Sequence, residues 1–472
     1  MNTRTNAMRA KIVGLLVILS GVAGCGGGYG GGSYGGGSGG NSYTMPMVSF
    51  STPASATAIN LGQSLKLTWS STYATACTAS ASTDTAGTFT GSQSTSGSVT
   101  VAPTATGTAT YTLTCTGTGG SGSATTAVVT INPSILSTLA TTTTIGSTLD
   151  PVEHGGNPYG LAIAPITAGL MTAGDLIVCN FNDGATNTQG LGTTIVGLHP
   201  TAGATPYRIA QSSQLQGCAT LAMLPDDSIS ASAFSANLNP LVTAAGVVTN
   251  PFAADTFTGP WSQTYAAGPA ALPSALYTSV ELNGAIGRIT LNGDVQSAFT
   301  EIAKGFCGTG APGGVFAPAG LTYDPSIDTL YIVDTSSYSV VAFSAVSTIG
   351  ADGIIVNGSC GGSTPTPALT FSGTNASQAK VIASGGQLNS PISAALLADG
   401  DLIVGNGDLN SPAVTNLLFE ISPAIGFVGA PVQLDTGAPG ALFGLATKVD
   451  SSGNQIIYFN DDNDNTVKML AK

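Results

Sequence analysis

Between Ser134 and Lys472 the chain alternates short, almost unbroken apolar runs with polar turns, and one phrase keeps returning. Its clearest copies are "NPYGLAIAPITAGLMTAGDLIVCNFND" from Asn157, "APAGLTYDPSIDTLYIVDTSSYSVVAF" from Ala317 and "ALFGLATKVDSSGNQIIYFNDDNDNTVKML" from Ala441. A fourth is "SPISAALLADGDLIVGNGDLNSPAVTNLLFEIS" from Ser390, and two weaker ones start at Gly217 and Gly259. Each predicts an apolar strand, a turn rich in Asp, Gly or Pro, a second strand, a polar turn and a third strand. Runs such as "DLIV", "LYIV" and "IIYF" are apolar at nearly every position rather than at alternate ones, which suits sheets packed on both faces. Six small sheets around an axis achieve that burial, whereas a linear stack leaves its ends uncovered. The last copy stops at Leu470 after three strands. The run "LATTTTIG", Leu139 to Gly146, lies before the first copy and is the strand expected to complete the last sheet and close the ring.

Upstream, from about Met45 to Asn132, the pattern changes to Thr/Ser-rich alternation: "SLKLTWSS", "GSVTV", "ATYTLTC", "TAVVTI". Short strands at this spacing, bounded by Gly, Pro and Asn, predict a sandwich of about 90 residues. "LTWSSTYATACTAS" and "TATYTLTCTGTGGSGSA" resemble bacterial immunoglobulin-like domains. Trp69 precedes Cys77, the reverse of the antibody order, so the antibody bridge between sheets is not carried over. With "LKLTW" as strand B, Cys77 falls on strand C and Cys115 on strand F, neighbours in one sheet. A disulfide between them closes a 38-residue loop, worth roughly 4 kcal/mol in the chain-entropy model; the alternative is two buried free thiols. This segment holds one acid, Asp84, one base, Lys66, and no His, so a spacer is its most economical role.

In the repeated region, "LYIVDTSSYSVVAF" and "IYFNDDNDNTVKML" resemble the strand-turn-strand phrase of NHL-type propeller repeats. The resemblance covers about 330 residues and implies a six-bladed β-propeller. The arginine usual in that phrase is replaced by Ser339 and Thr466, so the nucleic-acid or acidic-partner contacts of some relatives do not transfer. The fold class expected for the whole chain is all-β, an immunoglobulin-like sandwich followed by a six-bladed NHL-like propeller.

The N-terminus reads differently again. A basic head with Arg4, Arg9 and Lys11 is followed by the apolar run "IVGLLVIL" and the tail "SGVAGC". Eight apolar residues are too few for a spanning helix, which needs about 20, so this is an export signal. The tail resembles the bacterial lipobox, with Val22, Ala23 and Gly24 before Cys25. The resemblance implies cleavage before Cys25 and acylation of its sulfur and new amino group, hence attachment to the membrane through lipid. Gly rather than Asp at position 26 implies sorting to the outer membrane in Gram-negative cells, with the body facing the periplasm or the surface. "GGGYGGGSYGGGSGGNSY" is then a Gly/Ser tether with a reach of about 25 Å. The expected divisions are 1–25 signal and lipobox, 26–44 tether, 45–133 sandwich and 134–472 propeller.

Composition and charge narrow the chemistry. Only 7% of residues are charged while 42% are hydrophobic. Removing residues 1–25 takes three of the 11 basic residues and none of the 24 acidic ones, leaving 8 minus 24, or −16. Nucleic acid is thereby excluded as a partner. Of seven cysteines, Cys25 is taken by lipid, and the four in the propeller allow three pairings. Cys179 with Cys218 and Cys307 with Cys360 are favoured because each pair is near in sequence.

His154 and His199 are the two histidines and lie in unlike contexts, which excludes a multi-His metal site. Glu153 and His154, adjacent on an extended chain, point to opposite sides. "GTGAPGG" at Gly308 matches a dinucleotide fingerprint but lacks its strand and helix, and there is no GxSxG elbow. No catalytic residue is assigned. The best ligand candidate is "NDDNDN", Asn460 to Asn465, whose Asp461, Asp462 and Asp464 offer the hard oxygens Ca²⁺ collects. The same residues also suit a hairpin turn, where Asp and Asn bond their own backbone. No cofactor is required, with Ca²⁺ the one considered. The sequence thus predicts an anchored binding or scaffolding module for a protein, glycan or small ligand. The alternative is a calcium-dependent lactonase or hydrolase, which calls for acids at the inner strand starts of several blades.

Overall fold

The computed structural model describes residues 43–269, 272–308, 317–358, 360, 369–407 and 416–472. The expected signal and tether, Cys25 included, lie outside the described residues apart from positions 43 and 44.

Six sheets follow one another around an axis. Blade 1 runs from its inner strand Gly156–Ile163 to its outer strand Tyr207–Gln211, and blade 2 from Cys218–Met223 to Val248–Phe252. Blade 3 starts with Pro260–Ala266, blade 4 with Pro318–Asp324 and blade 5 with Pro391–Leu396. Blade 6 contributes Leu445–Val449, Gln455–Asp461 and Thr466–Ala471 from the C-terminus. Its fourth, outer strand is Thr141–Ser147, antiparallel to Thr466–Ala471 with Thr142 opposite Leu470. Closure is therefore made by a strand from the other end of the repeated region, and the fold is a six-bladed β-propeller.

The continuous apolar runs explain the packing. The strands Leu176–Asn182, Ala275–Val280 and Leu402–Asn406 are buried at every position because each lies between two neighbouring blades. Each seam holds its own apolar cluster. At the closing seam Ile145, Val178, Val196 and Leu198 pack with Tyr458 and Val467. Every fully buried Leu, Ile or Val contributes about 1.5–3 kcal/mol relative to exposure, so a ring of six such clusters carries most of the cohesion.

One addition to blade 3 was not legible in the repeat. Between the third strand of blade 4, Ser339–Ser344, and its fourth, Ala379–Ser384, the chain leaves for the neighbouring blade. There Ile354–Asn357 pairs parallel with Val295–Lys304, and Thr370–Ser372 extends the sheet to six strands. Arg288 Nη1 donates to the carbonyls of Ser347 and Ile349 at 3.0 Å each, and Cys307–Cys360 ties the same excursion covalently.

The N-terminal part folds as small sheets around one core. Met47–Thr52, Leu65–Thr72 and Ser96–Val101 form one sheet; Gly91–Gln93, Ala76–Ala81, Tyr111–Gly117 and Gly120–Thr125 form a second; and Thr57–Asn60, Val129–Asn132 and Gly107–Ala109 form a third. Trp69, Phe89 and Tyr111 meet edge to face in the core. The Tyr111 hydroxyl donates to the Ala86 carbonyl at 2.6 Å, and burial pushes its pKa up to about 12. Cys77 and Cys115 lie directly opposite on adjacent strands and are disulfide-bonded.

Candidate functional site

The inner strands set the geometry of the axis. Near the start of its inner strand each blade presents one residue to the axis, in order Tyr159, Ala219, Trp261, Ala319, Ile392 and Phe443. Large and small residues alternate through the first four, so the rings fill an axis that six large side chains could not share. Phe181 and Phe234, from second strands, complete the plug. Tyr159 is stacked between Phe443, at 3.9 Å between ring centroids, and Phe181, at 4.4 Å, with Trp261 against both Phe181 and Tyr159. Phe443 is half-buried; its neighbours in the plug are buried.

Beside the plug lies an axial chamber of about 60 Å³, room for about two waters. Its deeper lining is Leu161, Leu221, Gln263, Leu321, Ala394 and Leu445. Among the described residues no carboxylate or imidazole lines it. An axial metal held by acids from several blades therefore has no ligands in this chamber.

Each blade is also linked to the next at the axis. The Thr220 hydroxyl donates to the Trp261 carbonyl at 2.7 Å, Ser279 to Ala319 at 3.4 Å and Thr335 to Pro391 at 2.7 Å. Ser393 donates to the Leu442 carbonyl, and Asn460 Nδ2 crosses the closing seam to the Gly160 carbonyl at 3.1 Å. Between blades 1 and 2 the link is the Cys179–Cys218 disulfide. These partners satisfy inner-strand carbonyls that would otherwise be buried unpaired.

Two acids, the half-buried Asp462 and the buried Glu281, act on Tyr159. Burial pushes the Tyr159 hydroxyl well above its ordinary range, and the charges of Asp462 and Glu281 push it further. Asp462 itself is raised to about 7 by burial, then by the neighbouring charges of Asp461 and Asp435. The three candidate calcium ligands are not arranged around a common centre. Lys468 Nζ bridges Asp461 Oδ2 at 2.6 Å and Asp464 Oδ2 at 2.9 Å, so an ammonium group already occupies the space between them. Asn463 donates to Asp435 Oδ2 at 2.6 Å, as turn residues do when they tie down a hairpin.

The two histidines make separate contacts. His154 is exposed with a left-handed backbone (φ 58°), and its neighbour Glu153 reaches Arg208 at 3.8 Å. His199 Nδ1 lies 2.6 Å from Asp175 Oδ1, whose other oxygen accepts from the Tyr207 hydroxyl at 2.6 Å. Three acids that sequence reasoning did not single out lie close together at the contact between the sandwich and blade 5: Asp399, Asp401 and Glu420. "LADGD" reads locally as a turn and "LFEIS" as a strand, and nothing in either segment signals that Asn60 and Gln63 will meet them.

No family model matches the chain, and no curated protein does. Among solved structures, virginiamycin B lyase from Staphylococcus aureus is similar at 14% identity, over 78% of this chain and 92% of that one, with a TM-score of 0.40. An auxiliary nutrient binding protein from Bacteroides ovatus is similar at 11% identity, over 91% and 99%, with a TM-score of 0.42. Likenesses of this size carry no statement about activity or ligand.

Proposed function

We propose that the protein is a lipid-anchored lipoprotein of the bacterial cell envelope, held at the outer membrane through Cys25, whose propeller is a binding or scaffolding module. In this reading the sandwich is an immunoglobulin-like spacer that holds the propeller away from the membrane, and the propeller repeats are of the NHL kind. The observation that carries the binding role is the axial mouth: an aromatic floor of Tyr159, Phe443 and Trp261 near the partly exposed acid Asp462, over a chamber whose described lining lacks carboxylate and imidazole. Stacked rings beside hydrogen-bond acceptors suit a ligand with a flat or sugar-like face and donor groups, whether free or displayed on a partner. The mature chain's formal charge of −16, from 8 basic and 24 acidic residues, disfavours polyanions.

Two experiments test it. Labelling with radioactive fatty acid should mark the wild type and not Cys25→Ala, which should leave the membrane fraction; labelling of the variant would refute the anchor. Phe443→Ala with Asp462→Asn should abolish binding of any glycan or small molecule that an array screen finds for the wild type. Undiminished binding by that double variant would move the site elsewhere.

A further inference from the structure

The sandwich is docked on blade 5 through carboxylates. Asp399 and Asp401 lie in the turn before the strand Leu402–Asn406, and Glu420 in the strand Leu417–Ser422 that pairs with it, opposite Ile403. One oxygen from each of the three lies within 4.8 Å of the others. Asp401 and Glu420 are each 1% exposed. Their hydrogen-bond donors are all uncharged. Asn60 Nδ2 donates to Asp399 Oδ2 and Gln63 Nε2 to Asp401 Oδ1, both at 2.9 Å, while the backbone N–H groups of Ile135 and Leu136 donate to Glu420. Among the described residues no lysine, arginine or histidine forms an ion pair with any of the three.

Neutral donors alone leave this much buried negative charge uncompensated. One oxygen, Asp401 Oδ2, is buried and accepts no hydrogen bond of ordinary geometry; the nearby Ser422 hydroxyl is turned to the Gly62 carbonyl instead. It lies against Gly62 of the sandwich, where a β-carbon would come within 2.4 Å of it, and the Gly62 carbonyl and Ser422 hydroxyl are bonded to each other beside it. A crevice of about 450 Å³, lined in part by Asn60, Ile135, Asp399, Gln455 and Lys472, connects Asp399 with solvent. Lys472 is the basic residue on that lining, and it makes no ion pair with Asp399.

We propose that Asp399, Asp401 and Glu420 form a divalent-cation site that fastens the sandwich to blade 5, with Ca²⁺ the ion whose chemistry fits. The donors are all hard oxygens, as Ca²⁺ requires, and a span of up to 4.8 Å matches twice a Ca–O distance of about 2.3–2.6 Å. Zn²⁺ would call for nitrogen or sulfur ligands that are not there. The Gly62 carbonyl and Ser422 hydroxyl are further oxygens in reach of the cluster, so the ion would take donors from both domains. This site lies at the domain junction, away from the axial mouth, and stands or falls independently of the binding role proposed there.

The test uses the full chain, purified from membranes in detergent and stripped with EDTA. Equilibrium binding of Ca²⁺ at pH 8, melting, and the rate of proteolysis at the connection near Pro133 are measured for wild type, Asp401→Asn, Glu420→Gln and the control pair Asp461→Asn/Asp464→Asn. The expected result is one bound ion per chain, with a raised melting temperature and slowed cleavage in the wild type and the control pair. Each junction variant should bind at least about tenfold more weakly. The proposal is overturned if the wild type binds no Ca²⁺, a measurement that decides even if a variant fails to fold. It is also overturned if only the control pair loses binding. A third contrary result is that lowering the pH to 6 in EDTA protects the connection fully and Ca²⁺ adds nothing, which would make a proton the fastener.

Discussion

Between blades, contact is made by apolar side chains and closed at the axis by a neutral hydrogen bond or a disulfide; between the sandwich and blade 5 it is made by amides donating to carboxylates that lack a basic partner. The first kind of seam depends little on ions, because apolar packing and neutral hydrogen bonds carry most of it. The second kind is conditional. Its strength depends on what neutralises Asp399, Asp401 and Glu420, so the propeller is expected to keep its shape under conditions that loosen the sandwich.

The largest break in that comparison comes from opening a blade seam. Deleting Ser134 to Ser147 removes the outer strand of blade 6 together with the buried Leu136, Leu139 and Ile145. Each such loss costs about 2–5 kcal/mol, so the propeller should lose its cooperative melting transition; an unchanged melt would refute closure by this strand. Next is the axis. Trp261→Ala empties the centre of the plug, where Trp261 contacts Tyr159, Phe181 and Phe234, and should cost about 3–5 kcal/mol in denaturant unfolding.

Smaller is Gly62→Ala at the junction. Gly62 has φ +105°, and an added β-carbon meets Asp401 Oδ2 at 2.4 Å. The change should cost about 1–3 kcal/mol, read as faster proteolysis near Pro133 while the propeller's melting stays put. Melting of the propeller itself at a lower temperature would mean that the two seams are not separable.

The smallest effect concerns the loop into blade 1. Asp150 is fully buried, which by itself raises its pKa, but Arg208 and the N–H groups of Val152 and Glu153 outweigh burial and hold it below the usual 3.8. The unfolded chain therefore takes up this proton first. The stabilisation is complete above about pH 4 and is lost as pH falls through the depressed folded value. Arg208→Gln should cost about 1–2 kcal/mol at pH 7 and flatten the acid limb between about pH 2 and 4; an unaltered acid limb would show that the backbone donors alone hold Asp150.

The ring was readable because its signal is local and repeated: runs such as Leu330 to Val333 are apolar throughout, and "LATTTTIG" had no other sheet to join. The excursion at Ile354–Asn357 was not, since four residues after a Gly-containing turn carry no mark of which blade they will extend. The "NDDNDN" stretch was legible as a turn. Lys468 in "TVKML" reaches back to Asp461 and Asp464, a pairing across the hairpin that the stretch by itself does not signal. The junction acids were illegible for a different reason. Asn60 and Asp399 are 339 residues apart, and their meeting follows from how two folded domains dock rather than from any nearby pattern.

Hydrogen exchange of the amides of Thr141–Ser147 tests the ring most directly. If this strand closes it, those amides exchange only with global unfolding of the propeller, at the same protection as their partners in Thr466–Ala471. Exchange of Thr141–Ser147 in seconds while Thr466–Ala471 stays protected would show an open ring and contradict the account.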